Sequence, residues 1–588
     1  MLNGRKFRIA LAASLLLAAC SAAQPRSGAE QGELAALANR YFEEVYFKYS
    51  PTRATRAGLH AYDTSLEDFS RAAIDAQVAA LKDFEDRVER LQPSGGAPDA
   101  AADRDLLLSD IRSSLLELTT IRRWEKDPNL YSSGITESAF VIMSRNFASP
   151  DQRLASLVAR EKQMPRVLEV ARENLKNPPR WYTAIALEQL PGIISFFEND
   201  VPAAFKEAKD ADTRREFELS NSQVLSALRA YQQFLQHDLL PGSGGDYRIG
   251  ADAYRKKLLF DEAVDLPLDQ LLGIGMADLR RNQREFQRVA RQLAPDLAPA
   301  QVLKDLGADH PPPAGLLQSF RDTFGDLRGF IETRRIVTIP SPVPPIVEET
   351  PPFMRALTFA SMDPPGPFEK RAKEAFFNVT LPEQTWTPEQ VEEHMAGFNR
   401  GTVISTAIHE AYPGHYVQFL WVQRAPDKVR QLLGCSSNAE GWAHYSEQMM
   451  LDEGYGRTAG LAEENDPAFL KLRLGQLQDA LLRNARYLVG IRMHTGEMTF
   501  EQAVEFFEKE GYQSHANALR ETKRGTSDPT YLVYTLGKLQ ILKLRDDYRR
   551  KAGASFRLQE FHDAFLRQGF PPVKIIRRAL LGDDGPTL

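Results

Sequence analysis

AAIDAQVAALKDFEDRVERL, residues 72–91, is the stretch that decides the fold. Its apolar residues Ile74, Val78, Leu81, Phe84, Val88 and Leu91 return every three or four positions, which is the repeat of one helical face, while charged residues fill the other. The same spacing recurs in LAALANRYFEEVYFKY (34–49) and QVLSALRAYQQFLQHDLL (223–240). Polar or Pro/Gly punctuation such as QPSGGAPDA (92–100) and LPGSGGD (240–246) separates these helices. The proline-dense stretch 338–370 cannot stay helical, because each interior proline removes a backbone donor and clashes with the preceding turn. It reads as extended chain crossing the surface, or a cleft, between two helical halves. Helices resume near 387, and strand-like alternation is confined to short pieces around 335–360 and 374–381. The expected fold is therefore dominated by α-helix, a large multi-helix body with a cleft and minor short strands.

At the N-terminus, Arg5, Lys6 and Arg8 precede the apolar run IALAASLLLAA, which is too short to span a bilayer and reads as a secretory signal. The ending LAAC resembles the lipobox of bacterial lipoproteins, which implies cleavage before Cys20 and a lipid on that cysteine. Ser21, in place of an aspartate, favours the outer membrane of a Gram-negative host, facing the periplasm. The expected organisation is a signal peptide at 1–19, a polar tether at 20–32, an N-terminal helical region at 33–337, the Pro-rich crossing segment at 338–370 and a helical catalytic region at 371–588.

The formal charge of −6 becomes −9 once the three positive charges of Arg5, Lys6 and Arg8 are removed. That balance speaks against nucleic acid as a partner. Cys435 is the other cysteine, so a lipidated Cys20 leaves no intrachain disulfide, and stability must come from packing. The sequence sets no oligomeric state.

Chemistry concentrates in the C-terminal third, where His409, His415, His444 and His494 fall close to Glu410, Glu440 and Glu447. HEAYPGH, 409–415, places its second histidine six residues after the first. On a straight helix that would turn His415 about 240° away from His409. Pro413 and Gly414 permit a bulge or kink that absorbs the two extra residues. The alternative is that Pro-Gly ends one helix and His415 begins the next. In SSNAEGWAHYSEQMM, 436–450, Glu440, Ala443, His444 and Glu447 share one helical face. Two imidazoles binding a divalent ion want a carboxylate third, with a fourth position left for water, and Glu440 suits that need. Ser437 and Glu440 also spell a capping box, which would need the glutamate only to start a helix.

HEAYPGH, EGWAHYSE, RMHTGEMTFEQAVEFF (492–507) and DPTYLVYTLGK (528–538) together resemble the bacterial lipoprotein family known as domain of unknown function 885. That family is regarded as similar to the Glu-zincin metallopeptidases, such as Taq-type carboxypeptidase, thimet oligopeptidase and angiotensin-converting enzyme. The resemblance implies a helical fold like theirs, with Zn2+ bound by His409, His415 and Glu440 and with Glu410 as general base. It further implies oxyanion donors from the following segments, assigned to Tyr534 and His494. The commoner family form has Pro-Gly-Gln before the tyrosine, which is absent here, so Tyr531, one turn earlier, is the rival. His444 is a weaker substitute ligand, and Arg524 and Arg545 are candidates to hold a substrate carboxylate.

The expected function is zinc-dependent hydrolysis of short peptides by a lipid-anchored envelope protein. Two rivals accompany it. One is a non-catalytic lipoprotein that binds peptides or wall fragments, which an intact Glu410 speaks against. The other is a zinc amidase acting on non-peptide amides, which would use the same parts.

Overall fold

The computed structural model describes residues 24–91, 98–355 and 358–588. The expected signal peptide and Cys20 lie outside them. The described residues form a helix-dominated body with one small sheet, and among them no helix is long and apolar enough to cross a membrane. The helix Gln24–Tyr41 begins within the stretch 20–32 expected as the tether. Pro25 is no obstacle there, since a first-turn proline lacks only an N–H that would go unpaired anyway.

The decisive stretch folds as expected. The helix Arg71–Arg90 starts where Ser70 accepts a hydrogen bond from the Ala73 N–H, and it buries Ile74, Leu81, Phe84 and Val88. Leu81, Phe84 and Val88 pack with the first helix and also with Val429, Leu433 and Ile575 from the far end of the chain. A second core joins the helices Leu268–Leu293 and Pro467–Thr495 through Leu279, Phe286, Leu474 and Leu481. The expected boundaries near 337 and 371 thus mark changes of sequence texture, and the hydrophobic cores run across them.

The two strand-like pieces hold strands, β1 (Ile346–Glu349) and β3 (Phe376–Val379), and a third strand, β2 (Ala360–Asp363), lies just past the first piece. Their order is β1-β3-β2, with β1 parallel and β2 antiparallel to the central β3. Phe377 and Val379 of β3 and Val347 of β1 are buried against the helix Leu316–Arg334 and the helix Arg400–Glu410. The Pro-rich segment does border a cleft, which has a volume of about 1470 Å³ and takes Thr358 through Met362 as part of its wall.

Two glycine contacts set the helices around that cleft. An added Cβ on Gly475 would lie 2.6 Å from the Gly401 carbonyl carbon, so the helices Arg400–Glu410 and Pro467–Thr495 touch backbone to backbone. An added Cβ on Gly537 would lie 1.7 Å from the Ser437 oxygen, so the helices Ser436–Asp452 and Val533–Ala552 are as close. Side chains larger than hydrogen at these crossings would push the motif helices apart.

Candidate active site

Asn399 starts the helix Arg400–Glu410, its side-chain oxygen accepting from the N–H groups of Gly401 (3.0 Å) and Thr402 (3.1 Å). Val403, Ala407 and Ile408 anchor one face in the core, and His409 and Glu410 close the last turn. The expected kink is instead a break. The helix stops at Glu410, and a new helix, His415–Val422, begins at the second histidine. Proline's missing N–H ends the ladder. The Gly414 N–H then donates back to the Ile408 carbonyl (2.9 Å), and the Trp442 indole N–H donates to the Pro413 carbonyl (2.8 Å). This fold-back brings the His415 ring to 4.9 Å from the His409 ring, at 86°. The two alternatives read from the sequence therefore both hold in part. Pro-Gly does end a helix, and His415 nonetheless returns to His409.

Glu440 comes from the helix Ser436–Asp452. The capping box, the alternative role for Glu440, does not form. Cys435 is the N-cap, and the Ser437 N–H donates to Glu262 (2.9 Å), which leaves Glu440 free to face the histidines. Its Oε2 lies 3.4 Å from His409 Nε2 and 3.4 Å from His415 Nε2. Glu410 completes a second grouping with the two histidines, all three ligand atoms within 4.8 Å. Both carboxylates thus face the histidine pair, Glu440 at the shorter spacing.

Glu447, two turns beyond Glu440, supports the site from behind. Its carboxylate is fully buried and sits 2.7 Å from His409 Nδ1, 3.1 Å from His444 Nδ1 and 3.0 Å from the Arg483 guanidinium. Burial works to raise its pKa, but Arg483 and the histidines outweigh it and hold the carboxyl far below the usual range. Burial likewise works to raise the pKa of Glu440, and the two histidines outweigh it and hold this carboxyl well below its usual range. Hydrogen bonds to Glu440 and Glu447 overcome burial to push His409 up to about 9, so these atoms seek a positive charge. His444 is buried away from the cleft, and desolvation with the nearby Lys538 pushes it down to about 3.

Of the two tyrosines, Tyr534 lines the cleft, its ring stacked 6.3 Å from that of His409 at 23°. The close approach of Gly537 to Ser437, and to Gly441 one turn on, sets it there, one turn before Gly537. The Arg524 guanidinium reaches its hydroxyl at 3.5 Å, and Arg486 lies over its ring at 5.1 Å. Tyr531 is buried away from the cleft, with its ring against Gly490 and Gly525. His494 is not an oxyanion donor in this arrangement. It sits 11 residues past Arg483 on one helix, about 16 Å along the axis. There it is fully buried, its Nε2 2.8 Å from the Gly525 carbonyl oxygen, and packed against Tyr247. Arg545 is also outside the cleft, donating to the Tyr445 hydroxyl (3.2 Å), whereas Arg524 borders the cleft and pairs with Asp528 at 3.1 Å.

The sequence reading missed the supporting role of Glu447, although its place on the Glu440 face was visible. It also missed Arg483, Arg486 and Arg520, which come from helices whose spacing carries no motif.

The family described as "Bacterial protein of unknown function (DUF885)" matches residues 51–580. The chain matches no curated protein. Among solved structures it is similar to a protein of unknown function from Shewanella oneidensis, provisionally described as a lipoprotein. That likeness has 27% identity and a TM-score of 0.75 over 93% of this chain and 99% of the other. A second structure, from Colwellia psychrerythraea and also provisionally described as a lipoprotein, shares the fold at 18% identity, with a TM-score of 0.78 over 94% and 99% of the two chains.

Proposed function

The chain belongs to the family Bacterial protein of unknown function (DUF885), and from the geometry of its cleft we propose that it is a zinc-dependent peptidase acting on short peptides. The observation that carries the reading is the convergence of His409 Nε2 and His415 Nε2 on Glu440 Oε2, each at 3.4 Å, with Glu410 beside them.

The residues fit a zinc ion. The 2.7 Å contact of His409 Nδ1 with Glu447 is a better donated hydrogen bond than its 3.3 Å contact with Arg483, so Nε2 presents a lone pair. That lone pair faces a buried carboxylate oxygen which has no hydrogen-bond donor of its own. Electron-rich atoms so placed repel unless a cation lies among them, and a zinc ion there would take the place of the proton that the carboxylates favour on His409. The edge of a tetrahedron with bonds of 2.0–2.1 Å is about 3.3–3.4 Å, which matches the spacing of the carboxylate from both nitrogens. The arrangement resembles the site implied by likeness to Glu-zincin peptidases.

Zinc held by His409, His415 and Glu440 would supply Lewis acidity, making water acidic near pH 7 and polarising the scissile carbonyl. Glu410 takes the proton of the attacking water as the carbon–oxygen bond forms. It returns a proton to the amine nitrogen as the carbon–nitrogen bond breaks, so one water and one amide give one acid and one amine. The Tyr534 hydroxyl donates to the carbonyl oxygen as that atom gains charge. Glu447 fixes the ring and tautomer of His409.

The LAAC ending at Cys20 and the description of the Shewanella oneidensis relative support a lipid-anchored envelope protein, which we place in the outer membrane facing the periplasm. To test the reading, protein lacking residues 1–20 is supplied with zinc and given a peptide mixture. About one zinc per chain is expected, with hydrolysis that a chelator abolishes and added zinc restores. Folded, zinc-supplemented protein that holds no zinc would sink the reading.

A further inference from the structure

The cleft wall holds one guanidinium that differs from its neighbours. Arg123 pairs with Asp127 (2.6 Å), Arg483 with Glu447 (3.0 Å), Arg486 with Glu521 (2.6 and 2.8 Å) and Arg524 with Asp528 (3.1 Å). Arg520 lines the same cleft and, among the described residues, has no carboxylate within ion-pair distance. Its Nη2 donates to the neutral Asn517 carboxamide (3.0 Å), and its Nε is buried with no acceptor. Phe359, from the segment leading into β2, backs the guanidinium at 4.0 Å and is itself stacked on His394 at 5.3 Å. Lys304, another cleft cation without a carboxylate partner, is an exposed ammonium.

A half-buried guanidinium without a counter-ion bears a desolvation cost that an arriving anion offsets. Burial is the main influence on Arg520 and holds its ionisation below the usual range, even with Glu521 nearby. Stacking on Phe359 fixes the plane of the guanidinium, so its fork is already oriented before a ligand comes. The buried Nε is closed to an arriving ligand, so a carboxylate entering from the cleft would meet the Nη edge of this planar, preoriented fork and accept two N–H bonds there.

Resting on the peptidase reading, we propose that Arg520 receives a carboxylate of the substrate, so that the cleft selects peptides carrying an anionic group. Two sources share this chemistry, a free C-terminus and the side chain of Asp or Glu. The competing role is structural, with the Arg520–Phe359 contact clasping the Pro-rich wall to the helix His515–Ser527.

The test uses zinc-loaded wild-type, Arg520→Met and Arg520→Lys proteins with a tripeptide library in three forms: free acids, C-terminal amides, and amides containing one glutamate. Wild type is expected to favour a carboxylate-bearing form. Arg520→Met should lower kcat/KM on that form by about 10- to 100-fold, the scale of a lost charge-assisted hydrogen bond, mostly through KM. The neutral amides should change little, and Arg520→Lys should recover part of the preference. Preference for free acids alone identifies the C-terminus as the handle, and equal use of glutamate amides identifies the side chain. No carboxylate preference in wild type, or equal loss on acids and neutral amides, would overturn the proposal in favour of a clasp. If Arg520→Met does not fold, Arg520→Lys decides, and an unchanged acid-to-amide ratio overturns it. Calorimetric binding of the same library to Glu410→Gln protein separates this proposal from the peptidase reading. Carboxylate-selective binding without hydrolysis by wild type would refute catalysis and leave Arg520 as the receptor.

Discussion

Replacing Gly414 with alanine is expected to disable the proposed metal site while leaving most of the helices in place. A Cβ at Gly414 would lie 1.8 Å from the His409 carbonyl oxygen, 2.4 Å from its carbon and 2.4 Å from the Ile408 oxygen. Real Cβ contacts essentially never fall below 3.0 Å, so the backbones must separate by at least 3.0 − 1.8 = 1.2 Å. No rotamer change can relieve a clash with backbone, and the atom that must move belongs to His409 itself. Zinc–ligand distances tolerate about 0.2 Å, so a shift above 1 Å withdraws His409 or His415. Zinc affinity should fall by at least the ~10- to 100-fold that follows loss of a supporting contact to a ligand. Overpacking should add a stability loss of about 1–3 kcal/mol. The control is Gly325→Ala, in the helix Leu316–Arg334, where nothing lies within 4 Å of the new Cβ. There alanine should be neutral or stabilising by up to about 1 kcal/mol. The assay is elemental zinc per folded chain after equilibration at limiting zinc, with circular dichroism to report the fold. Gly414→Ala protein that keeps wild-type zinc would refute the claim that the fold-back at Gly414 holds the two histidines together.

Glu447→Gln should weaken zinc binding by about 10- to 100-fold, measured by competition with a chelator, because His409 loses its charged anchor. It should also lower stability, since the buried Arg483 loses its 3.0 Å partner. Tyr534→Phe should reduce kcat by about 10²- to 10³-fold with little change in KM, whereas Tyr531→Phe should leave kcat near wild type, and similar losses from both would undo the assignment. Glu521 supplies a pH dependence. Burial raises its pKa, but the Arg486 pair outweighs that and lowers it to about 2 in the folded protein. A depressed folded pKa contributes stability that is fully present above the unfolded value of about 4.5 and is lost as pH falls toward 2. The Tm gap between wild type and Glu521→Gln should therefore shrink between pH 5 and pH 2.5, and a constant gap would contradict the pairing.

Periodicity made the helices legible, as Ile74, Leu81, Phe84 and Val88 show by burying the face predicted for them. The strands at 346–349 and 376–379 were legible as short strand-like pieces, whereas 360–363 lies just past the piece expected around 335–360. HEAYPGH and EGWAHYSE placed His409, Glu410, His415 and Glu440 near one another. They could not place the fold-back, which depends on Gly414 packing against the His409 carbonyl and on Trp442 reaching Pro413 from a different helix. His494 was misplaced because nearness in sequence to the motif helices says nothing about height along a 29-residue helix. Arg520 was invisible for a related reason. What distinguishes it is the absence of a carboxylate partner, a property of its surroundings in space and not of its neighbours in the chain.

The most direct test of the central claim is the mass distribution of products from a defined peptide mixture, compared between zinc-loaded wild type and zinc-loaded Glu410→Gln protein. The account predicts new, shorter peptides from wild type and a rate lower by about 10²-fold or more in the variant, at equal zinc content. Intact peptides after incubation with zinc-loaded wild type, or equal cleavage by both proteins, would contradict it.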